Sequence, residues 1–124
     1  MNYVCPVCGK YELEEGSSDV CPVCSFEDDN VQVADHNYAG GANDLSVNES
    51  RIEFFLLNNP NTKDKAKKLL KDYDDKLKEI QLKYKDINHA VDIKLSEKER
   101  LAFKEIRKDY VNALNLLLQK LNEK

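Results

Sequence analysis

The stretch CPVCGKYELEEGSSDVCPVCSFEDD, residues 5–29, decides the fold of this chain and contains all four of its cysteines. It holds two copies of Cys-Pro-Val-Cys, separated by twelve residues. A two-residue gap between cysteines forms a tight turn, and the proline after the first cysteine stiffens that turn by fixing φ. Two such turns can direct four thiolates at one ion about 2.3 Å away, which is the arrangement of structural zinc. The spacing therefore predicts a metal site formed by Cys5, Cys8, Cys21 and Cys24.

Other roles fit the four thiols less well. A dithiol redox pair would use one Cys-x-x-Cys and leave the other idle. A catalytic zinc needs an open coordination position, and four protein ligands leave none. Iron stays open as the less favoured alternative to zinc, because four thiolates accept both metals. We therefore expect a structural Zn²⁺ ion, without which the cysteine-bearing segment would be largely unfolded.

The composition is that of a soluble, helix-rich chain, with 34% charged and 41% hydrophobic residues among 124. The apolar runs are far shorter than the roughly 18 residues that span a bilayer. No secretory signal is visible before the first cysteine pair. In a reducing cytosol, closely paired cysteines are more often metal ligands than disulfides. We therefore expect a cytoplasmic protein without a membrane partner.

Charge is divided unevenly along the sequence. Residues 1–45 carry Lys10 against nine acids, a net charge of −8, whereas residues 46–124 have a net charge of +4. An acidic surface favours a basic protein partner, because opposite charge steers the two surfaces together. The alternative is a solubilising face without a partner. The candidate partner-binding residues are Glu27, Asp28, Asp29, Asp35 and Asp44.

The residues offer no constellation for catalysis, neither a nucleophile–base pair nor a phosphate-binding glycine loop. As neighbours on a polar loop, Asp28 and Asp29 fit solvated charge or a turn cap better than an acid/base pair. His36 is interpreted as a solvated loop residue, since four cysteines already fill a tetrahedral site. His89 is placed at the end of a long helix, where a cation suits the helix dipole. We expect a protein that is not an enzyme.

The turn-rich segment of residues 1–45 predicts an acidic zinc-ribbon head with four cysteine ligands and short strands. Brief strands are expected at Tyr3-Val4, at residues 10–13 and at residues 31–33. Such a segment has too few large apolar residues to form a core alone, so the metal must hold it together. The predicted fold class is accordingly α+β and small, with this head followed by helices.

Residues 46–124 predict the helical part. The sequence Ser46-Val47-Asn48-Glu49 has the form of a capping box, which predicts a short helix over about residues 47–57. That helix should bury Ile52, Phe55 and Leu56 and end before Pro60. Apolar residues at steps of three and four then predict two long helices, over about residues 62–87 and 97–122. A capping box at Ser96-Glu97-Lys98-Glu99 should open the second, and a short connection implies an antiparallel hairpin.

The residues around the cysteines carry more detail than a metal site needs, and they resemble the bacterial cysteine-rich CPCC family. The resemblance covers about residues 3–55, with the hairpin of residues 61–124 as an added element. Ser25-Phe26 stands where the family tends to carry aromatics including a tryptophan. The matching residues are Cys5-Pro6-Val7-Cys8-Gly9, Cys21-Pro22-Val23-Cys24, Glu27-Asp28-Asp29, Val31-Gln32, Ala34-Asp35, Gly40-Gly41-Ala42-Asn43, Ser46 and Glu49.

The resemblance implies zinc binding but no established activity. Members of the family often look like neighbours of toxin genes, which suggests immunity or antitoxin roles. The favoured function is therefore a protein-interaction module that neutralises a toxin domain by occupying its basic cleft. The alternative is a zinc-ribbon nucleic-acid-binding or accessory regulatory protein. That alternative needs basic residues near the cysteines, where only Lys10 stands. A homodimer formed through the hairpin stays open.

Overall fold

A computed structural model describes residues 1–88 and 90–123 of the chain. The chain divides into two compact units, Met1–Asn59 and Pro60–Lys124. The first unit contains a two-stranded sheet and two helices, and the second contains two long helices. These elements confirm the predicted α+β class. None of the helices in the described residues has both the length and the apolar character to cross a membrane.

The two strands frame the first cysteine pair. Strand β1 (Asn2–Val4) pairs antiparallel with β2 (Glu12–Glu14), and Tyr3 lies opposite Leu13. Leu13 is fully buried and its neighbours on β2 are exposed, which is the alternation of a strand with one covered face. A single antiparallel bridge between Val20 and Glu27 frames the second pair in the same way. Each Cys-Pro-Val-Cys therefore forms the loop of a small hairpin.

The predicted strand at residues 31–33 is wrong, because this segment forms one turn of helix, α1 (Asn30–Ala34). The Asp29 carboxylate caps it and accepts hydrogen bonds from the backbone N–H groups of Val31 at 2.9 Å and Gln32 at 3.2 Å. The strand preference of valine depends on its surroundings, and a side-chain cap on two otherwise free N–H groups outweighs it here.

The fully buried Gln32 side chain organises the loop that follows α1. Its amide nitrogen lies 3.1–3.2 Å from the carbonyl oxygens of Tyr38, Asn43 and Leu45. Its amide oxygen accepts from the backbone N–H of Asn43 at 3.1 Å and from the Asn43 side chain at 2.9 Å. One side chain thus satisfies backbone groups along a loop that has no regular structure of its own.

Helix α2 (Val47–Leu57) begins with the predicted capping box, which is confirmed. The Ser46 hydroxyl accepts from the Glu49 N–H at 3.1 Å, and the Glu49 carboxylate accepts from the Ser46 N–H at 2.9 Å. Of the three side chains expected to be buried, Leu56 is fully buried, Ile52 is half-buried and Phe55 is 48% exposed. Four consecutive apolar residues point in directions about 100° apart on a helix, so they cannot all face one core.

Helix α2 belongs by its contacts to the first unit, although the sequence grouped it with the hairpin. Val47 is fully buried within the same cluster as Cys5 and Cys21. The Arg51 guanidinium donates to the Pro6 carbonyl oxygen at 2.6 Å. The change in net charge after residue 45 is therefore a change in composition, and the boundary between the two compact units comes later, after Asn59.

The second unit is the predicted antiparallel hairpin, formed by α3 (Lys63–Lys83) and α4 (Ile93–Asn122). The rings of Tyr73 and Tyr110 stack between the helices, with centroids 4.4 Å apart and planes within 7° of parallel. Leu114 and Leu117 of α4 are buried in the same unit. The apolar stripes read from the sequence are the packing surfaces of the two helices.

The hairpin turn differs from the prediction on both sides. Helix α3 ends at Lys83 instead of residue 87, and α4 begins at Ile93 instead of residue 97. The expected capping box at Ser96 is wrong, because the Asp92 carboxylate caps α4 one turn earlier by accepting from the Leu95 N–H at 3.1 Å. Ser96 lies inside the helix, and its N–H donates to the Asp92 carbonyl at 3.1 Å. His89 lies outside the described residues.

We predict that Gln32→Glu destabilises the first unit by at least about 2 kcal/mol, because a carboxylate cannot donate to the three buried carbonyls. The matched control is Gln81→Glu on α3, an exposed position where the same change should cost under about 0.5 kcal/mol. Urea unfolding followed by the amide NMR signals of residues 1–59 measures the difference. Equal effects of the two changes would contradict a central role for Gln32.

Candidate metal centre

The two cysteine pairs adopt the same backbone turn. The Gly9 N–H donates to the Cys5 carbonyl at 2.9 Å, and the Ser25 N–H donates to the Cys21 carbonyl at 2.8 Å. Gly9 and Ser25 both have left-handed backbones, with φ values of +68° and +69°. Glycine adopts this conformation freely, whereas it is uncommon for serine. The second turn is therefore a copy of the first with a less suitable residue after its last cysteine.

The turns bring the four predicted sulfur atoms together. The Sγ atoms of Cys5 and Cys24 lie 3.5 Å apart, and those of Cys8 and Cys21 lie 3.6 Å apart. All four ligand atoms lie within 4.8 Å of one another. These separations exceed a disulfide bond of about 2.05 Å. They approach the edge of about 3.8 Å that follows for a tetrahedron with metal–sulfur bonds of about 2.3 Å. The four cysteines could thus hold one metal ion with little rearrangement.

Backbone N–H groups point at the sulfurs and act against the effect of burial. Burial raises the pKa of the Cys8 thiol, with the Lys10 N–H opposing it, and burial also raises that of Cys24. Cys21 is buried too, yet its pKa lies below the usual value because the N–H groups of Cys24 and Val23 donate to its sulfur. Such donors stabilise thiolates, which are the form that binds a metal. A divalent cation bound by the four sulfurs would supply the remaining charge needed to keep all four deprotonated.

The four candidate ligands are also part of the core of the first unit. A buried cluster contains Cys5, Leu13, Cys21, Phe26 and Val47. Two of its five members, Cys5 and Cys21, are therefore candidate metal ligands. Partly buried apolar side chains pack around the cluster: Tyr3, Val7, Cys8, Cys24 and Val33. This arrangement fits a structural ion, whose loss would disturb apolar packing as well as charge.

The structure separates the five acids that the sequence proposed as a partner surface. Asp35 and Asp44 are exposed, and Glu27 and Asp29 are half-buried. Asp29 is the turn cap that the sequence suggested; the N–H groups of Ala42 and Gln32 hold the pKa of its carboxyl below the usual range.

Asp28 is not a solvated charge, and that part of its interpretation is wrong. Its side chain is 4% exposed. The carboxylate accepts hydrogen bonds from the Tyr3 hydroxyl and, at 3.3 Å, from the Ser18 N–H. Because these donors lie in the same unit, Asp28 joins the first strand and the loop before the second cysteine pair. Asp28 therefore lies inside the unit and is not available on its surface to a partner.

Two residues that support the site were not identified as such from the sequence. Arg51 contacts the first cysteine pair through Pro6, and Lys10 places its ammonium 6.0 Å from the centroid of the Phe54 ring. Both contacts join residues more than 40 positions apart, so no pattern of neighbouring residues in the sequence predicts them. His36 is half-buried and is not one of the clustered metal ligands.

The family described as cysteine-rich CPCC matches residues 3–67, just over half of the chain. The chain belongs to the cysteine-rich CPCC family. The match extends past the predicted limit of residue 55, through α2 and into the first residues of α3. Comparison with curated proteins and with solved structures gave no match. The cysteine pairs and the segment that Gln32 organises all lie inside the family match.

We predict that Ser25→Gly stabilises the first unit by about 0.5 kcal/mol or more, because a left-handed backbone costs about 1–2 kcal/mol for a residue with a side chain. Added freedom of the unfolded chain offsets part of that gain. Gly9→Ser is the reciprocal change and should destabilise the unit, although a Cβ at Gly9 meets no atom within 4 Å. Urea unfolding compares both variants with the parent. Changes of the same sign would contradict the equivalence of the two turns.

We predict that the protein purified without added metal contains about one zinc ion per chain, as one tetrahedral site requires. Stripping the ion with a strong chelator should collapse the dispersed NMR signals of residues 1–59, because apolar burial there depends on the ligands. Cys8→Ser should lower the metal content below half an equivalent. The control Val23→Ser, at an exposed position in the second cysteine turn, should retain it. Less than half an equivalent of zinc or iron in the folded parent protein would refute the assignment.

Proposed function

We propose that this protein is a non-enzymatic zinc protein that acts as a protein-interaction module. Its most concrete role is that of an immunity or antitoxin protein, which binds and neutralises a bacterial toxin domain through an acidic surface. The observation that carries the proposal is the set of exposed carboxylates on a unit built around four clustered cysteines. We call this set the acidic head surface: Glu12, Glu14, Glu15, Asp19, Asp35 and Asp44.

The chemistry of the donor set supports zinc in a structural role. Four thiolates complete a tetrahedral shell and leave no position for water or substrate. Cys5 and Cys21 are buried in the core, which limits access to the ion further. Iron is the alternative, since it takes the same four thiolates. In either case the ion stabilises the unit and takes no part in a reaction.

The strand geometry supports exposure of the acids to a partner. Glu12 and Glu14 flank the fully buried Leu13, and alternate residues of a strand point to opposite faces. Both carboxylates therefore point away from the core. Asp35 lies just before the loop that Gln32 holds in place, and Asp44 lies within it, between Asn43 and Leu45, so the loop is fixed before any partner arrives. Fixed charges lose little entropy on binding.

The amount of charge supports a basic partner. The net charge of −8 over residues 1–45 becomes about −10 when four thiolates hold one divalent ion. A toxin that acts on nucleic acid needs a basic cleft, and exposed carboxylates can pair with the basic residues of that cleft as phosphates do. Opposite charges raise association rates by factors of about 10–1000 at low salt. Docking in the cleft would then block access of the nucleic acid.

A zinc ribbon that itself binds nucleic acid has less support. Phosphate recognition needs clustered basic residues beside the binding element. In residues 1–45 that role would fall to Lys10 alone, and its ammonium faces the Phe54 ring. The basic residues of the chain concentrate instead on the hairpin, where acids alternate with most of them.

We predict that the product of a neighbouring gene binds this protein in a salt-sensitive complex. Replacing Glu12 and Glu14 with Gln, and Asp35 and Asp44 with Asn, should weaken binding by at least about tenfold, mainly through slower association. The control carries Glu97→Gln and Glu105→Gln, two exposed acids of the hairpin, and should bind normally. Surface plasmon resonance at several salt concentrations measures the rates.

Two results would contradict the proposal. Equal affinity of the acidic-head variant and the parent would remove the acidic head surface from the interface. Tight binding of the isolated protein to DNA or RNA at physiological salt would favour the nucleic-acid function instead.

A further inference from the structure

The hairpin carries a groove at the end where α3 begins and α4 finishes. The groove encloses about 460 Å³. Helix α3 lines it with Lys65, Lys68, Leu69 and Asp72, and α4 lines it with Ala113, Leu116, Leu117 and Lys120. Both sets have the spacing i, i+3, i+4, i+7, which is one face of a helix. The groove therefore runs between one face of α3 and one face of the antiparallel α4, and a third helix can lie in it.

The floor of the groove is apolar and incompletely covered. Leu116 is 58% exposed although it lies two residues from the buried Leu114 and beside the buried Leu117. Leu69 and Ala113 are half-buried. Two helices alone cannot cover both sides of their shared apolar stripe, and an apolar side chain of a partner would complete the packing.

The rim of the groove is basic. It carries the three ammonium groups of Lys65, Lys68 and Lys120 against the one carboxylate of Asp72. Within the described part of the chain, none of these three ammonium groups lies within 4.0 Å of a carboxylate; the Lys–Asp pair nearby is Lys71–Asp75, at 3.9 Å. The rim is thus available to carboxylates from outside the unit.

The position of these lysines works against the stability of α3 itself. Residues 63–71 carry five lysines and one acid at the start of the helix. The N-terminal end of a helix has a positive partial charge, so acids stabilise that end and lysines do not. Helix formation alone therefore does not account for the charge at this end. Local choices that oppose the fold are expected where a surface has a function.

We propose that this groove binds an acidic amphipathic helix of a partner protein. Bulky apolar residues of that helix would occupy the floor, and its carboxylates would pair with the lysines of the rim. Lysine side chains suit this role because their aliphatic stems cover apolar surface while the ammonium groups reach the edge. A nucleic acid is disfavoured as the occupant, because phosphates would leave the leucine floor uncovered. The groove and the acidic head surface share no residues, and they attract partners of opposite charge.

The test begins with selection of peptides from a displayed random library of helical 16-residue sequences on the full-length, zinc-loaded protein. We expect the selected peptides to be rich in Asp and Glu, with large apolar residues at steps of three and four. The most enriched peptide, made synthetically, then serves as the probe in fluorescence anisotropy. Its amide NMR footprint should include Leu116.

Matched variants separate the groove from general charge. Lys65→Glu with Lys68→Glu should weaken binding of the probe peptide at least tenfold, and the acids introduced near the start of α3 should not destabilise the helix. Leu116→Ser, at an exposed position, should weaken binding with no change of charge. The control Lys78→Glu with Lys108→Glu changes two exposed lysines on the same two helices and should leave binding unchanged.

Several outcomes would overturn the proposal. Selected peptides without acidic enrichment, or peptides that bind the groove variants and the control equally, would remove the groove as the site. Concentration-dependent dimerisation that Leu116→Ser abolishes would make a second copy of the chain the occupant. Binding of a single-stranded oligonucleotide that the Lys65→Glu, Lys68→Glu change abolishes, with Leu116→Ser without effect, would make it a phosphate site. None of these results depends on the acidic head surface, so the two proposals can fail separately.

Discussion

The convergence of four cysteine sulfurs is the constraint on which the first unit depends. Fixing the backbone costs about 1–2 kcal/mol for each residue, and a small apolar cluster offsets little of that cost. Two of the five buried members of that cluster, Cys5 and Cys21, are themselves candidate ligands. Bringing the sulfurs to one point therefore also assembles the core. A small unit of this kind, with few regular elements, needs a staple in addition to its apolar contacts, and four clustered cysteines could supply one by holding a metal ion.

A series of hydrogen bonds connects the second cysteine turn to the first. The segment after the second turn is held at Glu27, whose N–H and C=O both bond the Asn43 side chain, at 2.9 and 2.8 Å. Asn43 bonds Gln32, and Gln32 bonds the carbonyl of Leu45, which precedes the capped start of α2. Arg51 on α2 then returns to Pro6 in the first turn. Among these bonds, the one from Gln32 to the Leu45 carbonyl satisfies a backbone group that would otherwise lie buried without a partner. The helix α2 is part of this unit for that reason.

The two units differ in charge as they do in construction. Residues 1–59 carry two basic and eleven acidic residues, a net charge of −9, and residues 60–124 carry seventeen and twelve, a net charge of +5. In the first unit the carboxylates divide between those that hold the fold, such as Asp28 and Asp29, and those that stay exposed. In the second unit the positive charge gathers at one end of the hairpin, beside an apolar groove. A protein arranged in this way can present two surfaces to partners of opposite charge.

The sequence by itself determined the features that depend on neighbours along the chain. Cysteine spacing predicted the cluster of four candidate ligands, the capping box predicted the start of α2, and apolar periodicity predicted the hairpin. Such signals act over a few residues, so they can be read locally. Where two local signals compete, as Asp92 and Ser96 do at the start of α4, the sequence alone did not show which would prevail.

Only the tertiary structure decided which polar residues are inside. The sequence gives no sign that Gln32 is fully buried, that Asp28 accepts from Tyr3, or that Phe55 is exposed. Burial of a polar side chain depends on partners that are distant along the chain, since it is stable only when those partners satisfy it. The groove of the hairpin has the same origin. The spacing on each helix is visible in the sequence, but the alignment of Lys65 with Lys120 across the groove depends on how the two helices pack.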